Sequence, residues 1–410
     1  MIAAAILDAP SVKAWPLAKL AGVAGIVNGG TPKSNVAEFW DGEHQWLTPA
    51  DMGKMAGREI AQTPRTITAM GLAKSSARLA PPKSVILSTR APIGHLAINA
   101  VPMAFNQGCR ALVPGPKLDH VFLYYFLLHS RELLNDLGTG TTFKELSATS
   151  LKTVQIPLPQ LEEQKRIVAA LDQAFAALDR ARTLAEANLA DAEELFENTL
   201  DAVFERFASS DLILPLGEAV HPDCKLSYGI VQPGDEVAGG LPIVRPVDLG
   251  RSIISLAGLK RILPDRADGY SRTKLTGAEL LLCVRGTTGE VSMASAELAG
   301  ANVTRGIVPV RFDPAKVDLE FAYFQMRSPF MRKQIAAKTY GAALMQINIK
   351  DVRELRFVRP SLDIQQRAKT EVRQLHDRAE RMIGDYQAKL DDLASLRQAL
   401  LRQAFAGELT

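Results

Sequence analysis

The chain carries the same short helix entrance twice, at positions 201 residues apart. Residues 157–166 read Pro-Leu-Pro-Gln-Leu-Glu-Glu-Gln-Lys-Arg, and residues 358–367 read Val-Arg-Pro-Ser-Leu-Asp-Ile-Gln-Gln-Arg. Four residues recur between the copies: Pro159 as Pro360, Leu161 as Leu362, Gln164 as Gln365, and Arg166 as Arg367. A repeat at a fixed period decides the architecture before any local motif does. The sequence therefore predicts a globular segment of about 150 residues followed by a long helix, used twice.

Each entrance leads into a heptad pattern of apolar and small residues, which is typical of a coiled-coil helix. The pattern of the first helix runs through Leu161, Val168, Leu171, Phe175, Leu178, Ala185, Leu189, Ala192, Phe196 and Val203. That of the second runs through Val372, Leu375, Ala379, Met382, Tyr386, Leu393, Leu396 and Leu400, with Gly407 as the predicted stop. Such a helix would span about 70 Å and would aggregate if its stripe were exposed. We favour an antiparallel helix pair with a globular segment at each end; the alternative is that each helix packs on its own globular segment.

The two globular segments share a series of landmarks. Short apolar runs between glycines and prolines predict strands of a mainly β core at residues 84–90, 112–113, 280–285 and 307–312. One helix is predicted in each segment, at His120–Leu137 and at Leu319–Ala337. The landmarks recur in order: Pro49-x-Asp51 as Pro246-x-Asp248, Arg90 as Arg285, Gly108 as Gly306, and residues 138–143 as 339–344. We expect an α+β fold in which one scaffold is used twice with different loops, as the reading of two different short targets requires.

Composition restricts the class of protein. Apolar residues make up 47% of the chain, which is enough for packed cores. Cys109, Cys224 and Cys283 are far apart and predict buried, reduced thiols rather than a disulfide or a zinc site. The N-terminal apolar run is short, is interrupted by Asp8 and lacks a basic leader. We therefore expect a soluble, cytoplasmic protein that does not contact a membrane.

Charge is distributed unevenly along the chain. The net charge is +5 over residues 1–160, −6 over 161–210, +4 over 211–360 and zero over 361–410. An acidic first helix is a poor ligand for a DNA backbone and a better surface for a protein partner. The basicity of the globular segments fits nucleic-acid binding and ordinary surface charge equally well.

Motifs of common catalytic sites are missing from the sequence. Gly25 and Gly30 have the spacing of a phosphate-binding loop, but Thr31 stands where the lysine belongs. The chain has no Asn/Asp-Pro-Pro-aromatic tetrapeptide, no GxSxG and no HExxH, and its six histidines lack metal-ligand spacing. The Pro-Asp pairs at 222–223 and 264–265 are not followed by the Glu-x-Lys of a nuclease strand. We expect a chain that is not an enzyme.

Several of these segments together resemble the specificity (S) subunits of type I restriction–modification systems. The matching segments are residues 29–33, 39–42, 88–94, 106–108, 140–146 and 156–166 in the first half, and 283–289 and 346–348 in the second. The resemblance covers nearly the whole chain, and the Pro-Leu-Pro-x-Leu-Glu-Glu-Gln-Lys-Arg string before a long helix is its most specific part. The entrance at 358–367 is a weaker version of that string.

The resemblance implies a domain plan and a set of partners. It implies a target-recognition domain at 1–158, a spacer helix at 159–208, a second target-recognition domain at 209–360 and a second spacer helix at 361–410. Each domain would read one half of a split sequence in double-stranded DNA. Two methylation (M) subunits would dock on the helices and carry S-adenosylmethionine, and restriction (R) subunits would join with ATP and Mg. This chain would then hold no cofactor; a coiled-coil scaffold without sequence-specific DNA binding is the alternative.

Candidate contact residues follow from the chemistry of DNA reading, which uses Arg, Lys, Asn, Gln, Ser or Thr at base edges. The candidates in the first half are Lys33, Ser34, Arg90, Thr141, Thr142 and Lys144. Those in the second half are Arg245, Arg285, Thr287, Arg305, Tyr340, Gln346 and Lys350. Arg90 and Arg285 could instead be internal ion-pair partners that anchor a turn. The candidate partner-docking residues are charges that we expect to be exposed at the first helix entrance, namely Glu162, Glu163, Lys165 and Arg166; a merely solvated first turn is the alternative.

Overall fold

The computed structural model describes residues 15–90, 92–140, 144–207, 212–342 and 344–409. The chain divides into two compact units. Unit 1 comprises Met1–Ala185 together with Lys389–Thr410, and unit 2 comprises Glu186–Ala388. Each unit therefore contains part of both long helices, and the two units are described separately below.

Unit 1 contains ten strands and six short helices among its described residues. The strands are β1 (Leu17–Lys19), β2 (Ala24–Asn28), β3 (Trp40–Leu47), β4 (Glu59–Ile60), β5 (Thr66–Ile67), β6 (Val85–Thr89), β7 (Ile93–Asn99), β8 (Met103–Phe105), β9 (Cys109–Pro114) and β10 (Gln155–Pro157). The helices are α1 (Leu20–Val23), α2 (Pro49–Met52), α3 (Ala69–Ala73), α4 (His120–His129), α5 (Arg131–Asp136) and α6 (Ala148–Thr153), followed by the long helix α7 (Leu161–Glu205).

A five-stranded sheet with the order β2-β9-β6-β7-β4 forms the centre of unit 1. Strand β6 is buried along its whole length, because its side chains alternate between two cores. Val85 and Leu87 pack towards α4 and the long helices, and Ile86 packs with Leu47 and Phe105. A smaller sheet with the order β5-β3-β8 supplies that second layer. Burial on both faces explains why the strand reads as a continuous apolar run.

Unit 2 repeats this plan with shorter strands. Its strands are β11 (Ile213–Pro215), β12 (Leu241–Val244), β13 (Ile253–Ile254), β14 (Arg261–Ile262), β15 (Glu279–Cys283), β16 (Val291–Ala294), β17 (Asn302–Val303), β18 (Ile307–Arg311) and β19 (Arg356–Val358). Its helices are α8 (Leu216–Ala219), α9 (Leu319–Arg327), α10 (Pro329–Lys338), α11 (Ile349–Arg353) and the long helix α12 (Leu362–Ala406).

The sheets of the two units match in strand order except for one strand. The order β13-β16-β15-β18 corresponds to β4-β7-β6-β9, and β14-β12-β17 corresponds to β5-β3-β8. The parallel pairings also recur, because β4 with β7 matches β13 with β16, and β3 with β8 matches β12 with β17. The predicted α+β class, with one scaffold used twice, is confirmed. Strand β2 has no counterpart in the sheets that the described part of unit 2 forms.

The helix predicted in each globular segment is in fact two helices. Helix α4 gives way to α5 at Ser130, which has φ −85° and ψ 11°. Helix α9 ends before Ser328, which is extended with φ −64° and ψ 152° because Pro329 disfavours a helical conformation of the residue before it. The sequence prediction of one uninterrupted helix was wrong, since the apolar pattern continues across both breaks.

A buried glutamine joins each long helix to the globular part of its unit. The Gln164 amide nitrogen donates to the carbonyls of Lys117 at 2.9 Å and Pro159 at 2.8 Å, and its carbonyl accepts from the Asp119 N–H at 2.8 Å. Gln365 makes the same three bonds with Lys316, Pro360 and Asp318, at 2.8, 2.7 and 2.8 Å. Asp119 and Asp318 in turn cap α4 and α9. The repeated glutamine therefore fixes the start of the long helix against the start of the neighbouring helix.

Within unit 2, the parts of helices α7 and α12 that it contains lie side by side and run antiparallel. In unit 2 the Phe196 ring lies 5.0 Å from that of His376, and Arg206, later in α7, pairs with Glu371, earlier in α12. In unit 1 Arg397 pairs with Asp179 at 2.7 Å. Of the eighteen residues of the predicted apolar stripe, seven are buried and eight are half-buried, whereas Leu161, Met382 and Leu396 are 37%, 39% and 48% exposed. Helix α12 ends as predicted before Gly407, whose φ of 80° suits a glycine C-terminal cap.

The helix bounds fall within the segments that the sequence assigns to the spacers. Helix α7 starts at Leu161 and α12 at Leu362, against predicted starts at 159 and 361. The division into recognition domains and spacers itself stays a prediction. Among the described residues, none of the helices combines the length and the apolar character needed to cross a bilayer.

Candidate nucleic-acid interface

The Gly-Gly-Thr-Pro-Lys segment of unit 1 packs backbone to backbone against a second loop. The Gly29 N–H donates to the Cys109 carbonyl at 3.1 Å, and the Gly30 N–H donates to the Phe105 carbonyl at 2.9 Å. A Cβ on Gly29 would lie 2.1 Å from the Asn106 carbonyl oxygen, and one on Gly30 would lie 2.3 Å from the backbone of the 76–77 segment. Only glycine fits both positions. The exposed residues Lys33 and Ser34 follow directly from this anchored segment.

Two tryptophans bind the Gly-Gly-Thr-Pro-Lys segment through their indole N–H groups. The Trp46 indole N–H donates to the Gly30 carbonyl at 3.0 Å, and the Trp40 indole N–H donates to the Lys33 carbonyl at 3.1 Å. Their rings meet edge to face with centroids 5.0 Å apart. The Arg65 guanidinium lies 3.7 Å from the centre of the Trp40 ring. Sequence reasoning missed this group because β3 and the residues before β5 meet only in the folded sheet.

The facing loop brings Asn106, Gln107 and Thr31 together. The Asn106 carbonyl oxygen accepts from the Gly108 N–H at 2.7 Å, and its amide donates to the Thr31 hydroxyl at 3.3 Å. The Thr31 hydroxyl also donates to the Gln107 side chain. The Asn106 side chain therefore satisfies a backbone N–H group of its own loop. Gln107 is exposed beside it.

Arg90 closes strand β6 at the edge of this loop cluster. It forms a β-bridge with Glu145, and its side chain lies against Gly108. Thr139 and Glu145 exchange backbone hydrogen bonds of 3.0 and 2.9 Å and so form the base of a small hairpin. Lys144 is exposed next to that base. The candidates Thr141 and Thr142 lie outside the described residues.

Unit 2 has the same bridge and hairpin base at the end of its central strand, but with different side chains. Arg285 bridges Gln346 as Arg90 bridges Glu145, and Tyr340 and Gln346 form the hairpin base with bonds of 2.9 and 2.8 Å. Gln346 is half-buried, and Tyr340 is exposed. Thr287 is exposed in the turn after β15, whose next residue, Thr288, donates to the Met345 carbonyl at 3.2 Å. Four candidates therefore lie together, and Lys350 is exposed nearby in α11.

Arg245 has a structural role at this edge. Its guanidinium makes two bonds to Asp248, of 3.1 Å from Nε and 2.8 Å from Nη2, and its backbone N–H donates to the same carboxylate at 2.7 Å. These hydrogen bonds raise the pKa of Arg245 and occupy its Nε and Nη2 donors. In unit 1 the Thr48 N–H donates to Asp51 at 3.0 Å in the same way. The repeated Pro-x-Asp thus caps a short helical turn, and Arg245 forms an ion pair with its aspartate.

Arg305 and Arg285 differ from Arg245. Arg305 is exposed in the turn between β17 and β18, and no ion pair of it is found in the described part of the chain. It takes the place of Gln107, because Asn106-Gln-Gly108 aligns with Thr304-Arg-Gly306 between the matching strands. The Nε atom of Arg285 is buried and has no hydrogen-bond partner within the described residues. Neither the Arg305 nor the Arg285 guanidinium is bonded to a carboxylate in the way that Arg245 is bonded to Asp248, within the described residues.

The candidate docking charges at the first helix entrance are not equally accessible. Glu162 and Lys165 are exposed and pair with each other at 2.8 Å, and that bond lowers the pKa of Glu162 and raises that of Lys165. Glu163 is only 7% exposed and lies 2.6 Å from the exposed Arg166. The expectation that Glu163 is a surface charge was therefore wrong, because the helix turns it towards the globular part of unit 1. The docking role of the four residues stays a prediction.

Within the described ranges, no group of three or more His, Cys, Asp or Glu residues is arranged to hold a metal. Burial raises the pKa of the Cys109 thiol to about 12, so it stays protonated at neutral pH. All three cysteines are free; Cys109 and Cys283 are buried as predicted, and Cys224 is half-buried.

Comparison with known proteins gives a consistent result. The family model described as the type I restriction modification DNA specificity domain matches residues 13–188. The type I restriction enzyme MjaIX specificity subunit of Methanocaldococcus jannaschii is 25% identical, over 97% of this chain and 94% of that protein. The EcoBI specificity subunit of Escherichia coli is 25% identical, over 75% of this chain and 70% of that protein.

Solved structures share the fold. A chain from a structural study of complex assembly and conformational transition in a type I R-M system has a TM-score of 0.76 at 19% identity, with 97% of this chain and 99% of that chain covered. The crystal structure of the HsdS subunit from Thermoanaerobacter tengcongensis has a TM-score of 0.59 at 18% identity, with 98% and 99% covered. At these identities the likeness establishes the architecture alone.

Proposed function

The chain belongs to the family of type I restriction–modification specificity subunits, and from this premise we propose that it is the DNA-reading, non-catalytic subunit of such a complex. Each unit would read one half of a bipartite sequence in double-stranded DNA. The alternative of a scaffold without sequence-specific DNA binding has no specific observation in its favour.

The observation that carries this proposal is a repeated backbone frame with different side chains at its exposed edge. Positions that match in the two frames carry different donors and acceptors: Gln107 and Arg305, Thr139 and Tyr340, Glu145 and Gln346. Base edges are distinguished by the donors and acceptors presented to them. Two frames with different side chains therefore suit two different half-sites.

The partners follow from the same duplication. Because the helix entrance occurs twice, with the same glutamine bonds, we infer two docking positions and hence two methylation subunits per chain. S-adenosylmethionine would be held by those subunits, and ATP and Mg by the restriction subunits, with none of them in this chain. The complex would act on DNA in the cytoplasm.

Methylation mapping at base resolution tests the proposal. DNA from cells that contain this chain and its methylation partner should carry a split methylated motif. Exchange of residues 15–155 for those of another family member should change one half of the motif and leave the other half unaltered. A parallel exchange of the unit 2 residues 213–358 is the matched control and should change the other half.

Two outcomes would contradict the proposal. If either exchange altered both halves, one unit would not correspond to one half-site. If the wild-type complex methylated DNA without any bipartite preference at moderate salt, the scaffold alternative would gain support. Salt must be fixed, because nonspecific binding to DNA weakens steeply as salt rises.

A further inference from the structure

We propose that Arg65 is a specificity-determining residue of unit 1 and reads a guanine in the half-site of that unit. This assignment rests on the proposed function and adds a residue to which no sequence motif points. It is argued below from the way in which the folded sheet holds this side chain.

The backbone at Arg65 is fixed on both sides. Its carbonyl accepts from the Trp46 N–H at 3.3 Å and from the Thr63 hydroxyl at 2.7 Å. Gln45 accepts from the Thr63 N–H at 2.6 Å, so the segment before β5 is tied to β3. The point from which the Arg65 side chain starts is therefore set by the sheet rather than by a free loop.

The guanidinium is then held by aromatic contact. It lies 3.7 Å from the centre of the Trp40 ring and 5.3 Å from that of Trp46. Both indoles are buried, and their N–H groups donate to the anchored segment, at the carbonyls of Lys33 and Gly30. Stacking on an aromatic face restricts an arginine to one plane without using its N–H donors.

The donors of Arg65 remain available. The residue is exposed, and no ion pair of Arg65 with a carboxylate is found among the residues that the structure describes. Arg245 in unit 2 is the contrasting case, since Asp248 occupies two of its nitrogens. A planar, pre-oriented pair of free N–H donors matches the O6 and N7 acceptors of guanine, which form the commonest specific contact of arginine with DNA. A phosphate contact would need the charge but not the fixed plane.

The position agrees with this role. The Trp40 ring that supports Arg65 also bonds to the carbonyl of Lys33, a candidate from the sequence. Arg65 therefore lies beside the anchored Gly29–Ser34 segment and not on a remote face of unit 1. The described part of unit 2 has no equivalent, because all three tryptophans of the chain (Trp15, Trp40 and Trp46) precede residue 50.

The test uses the full chain in complex with its methylation partner. Methylation mapping first defines the motif, and duplexes with the motif or with single-base changes then compete for the wild-type, Arg65→Lys and Arg65→Ala complexes. Lysine keeps the charge but loses the planar fork. We expect Arg65→Lys to reduce the preference for guanine at one position by about ten- to a hundredfold, with the other half-site and the salt dependence unchanged. Arg78→Lys is the matched control and should leave all preferences unaltered, because exposed Arg78 bonds to the neighbouring Ala77 carbonyl and no other side-chain bond of it is found among the described residues.

Three results would overturn the assignment. Wild-type preference at every position in Arg65→Lys would exclude base reading by Arg65. A uniform weakening over all duplexes, with a salt slope in Arg65→Ala that falls by about one, would identify a phosphate contact instead. A wild-type complex without any bipartite preference would remove the proposed function itself, and the first two results differ from it because they keep the motif. Tryptophan fluorescence of both variants checks that unit 1 is folded.

Discussion

Replacement of Gln164 by alanine should destabilise unit 1 more than the replacement of a single polar side chain usually does. The Gln164 side chain is fully buried and makes three bonds to backbone groups of Lys117, Asp119 and Pro159. A net contribution of about 1 kcal/mol for each bond gives a loss of about 3 kcal/mol in the free energy of unfolding. The loss would be larger if water could not reach the three groups that remain unpaired.

Tryptophan fluorescence makes this loss measurable for unit 1 separately. All three tryptophans of the chain lie in unit 1, so their emission follows its unfolding. With a urea dependence of about 2–3 kcal/mol per molar, the midpoint in Gln164→Ala should fall by about 1 M or more. The control is Gln160→Ala, four residues earlier, because the Gln160 side chain is exposed and should shift the midpoint very little.

Hydrogen exchange supplies a second, local measurement. The Asp119 N–H loses its acceptor in Gln164→Ala and should exchange faster, whereas amides of the buried strand β6 should change only with global stability. A midpoint shift equal to that of Gln160→Ala, with unchanged protection of Asp119, would refute the idea that this glutamine holds the helix start. A shift without the local change would place its effect elsewhere in unit 1.

Three further predictions concern charged groups. Arg245→Ala should lower the free energy of unfolding of unit 2 by about 1 kcal/mol in urea, because its ion pair with Asp248 is partly exposed, and it should leave base preference intact. Arg305→Ala should instead relax one base position of the motif in methylation mapping. A changed motif in Arg245→Ala would contradict its structural role. Burial alone would raise the pKa of Asp172, but hydrogen bonds from Arg58 and Tyr125 outweigh it and hold the pKa below its usual value. The stability that Asp172 contributes is therefore present above pH about 4 and is lost as pH falls through the pKa of the folded state. Urea midpoints from pH 6 down to pH 2 should therefore fall less steeply in Asp172→Asn, and equal slopes would contradict the prediction. Lys165→Glu combined with Arg166→Glu should weaken binding of the methylation partner about tenfold in calorimetry at low salt, and unchanged affinity would move the docking site away from the entrance.

The repeat predicted the architecture because the recurring residues have framework roles. Pro360 and Gln365 repeat the bonds of Pro159 and Gln164, and the recurring Pro-x-Asp caps the same short turn in both units. Such bonds satisfy backbone groups, whose positions depend on the fold and not on the target. A side chain with that task recurs at a fixed spacing, and a single sequence is enough to detect it.

Other features could not be read from the sequence because they depend on contacts between distant segments. Arg65 meets Trp40 only after β3 and β5 have paired, and nothing in the local sequence distinguishes it from other exposed arginines. The burial of Glu163 depends on how helix α7 lies against its unit. The break at Ser130 falls inside an apolar run that has no proline, so the pattern gave no sign of it.

Equivalent positions in the two long helices show why recurrence separates framework from surface. Asp172 and Arg373 occupy the same position relative to their entrances, yet Asp172 pairs with Arg58 while Arg373 pairs with Glu320. The partners lie on different elements, with Arg58 directly before β4 and Glu320 in α9, so the fold does not fix the ion pair at this position. The amide of Gln164 serves two backbone carbonyls and one backbone N–H at once, and no other side chain of similar shape supplies that combination.

The same reasoning indicates where target-reading residues should be sought. They should lie where the backbone of the two units is equivalent, the side chain is exposed and its donors are not already used by the framework. Gln107 and Arg305 meet these conditions, whereas Thr48 and Arg245 fail the last one, because their aspartate partners occupy them. Position in the repeat therefore narrows the search, and the hydrogen-bond state of each side chain decides among the positions that remain.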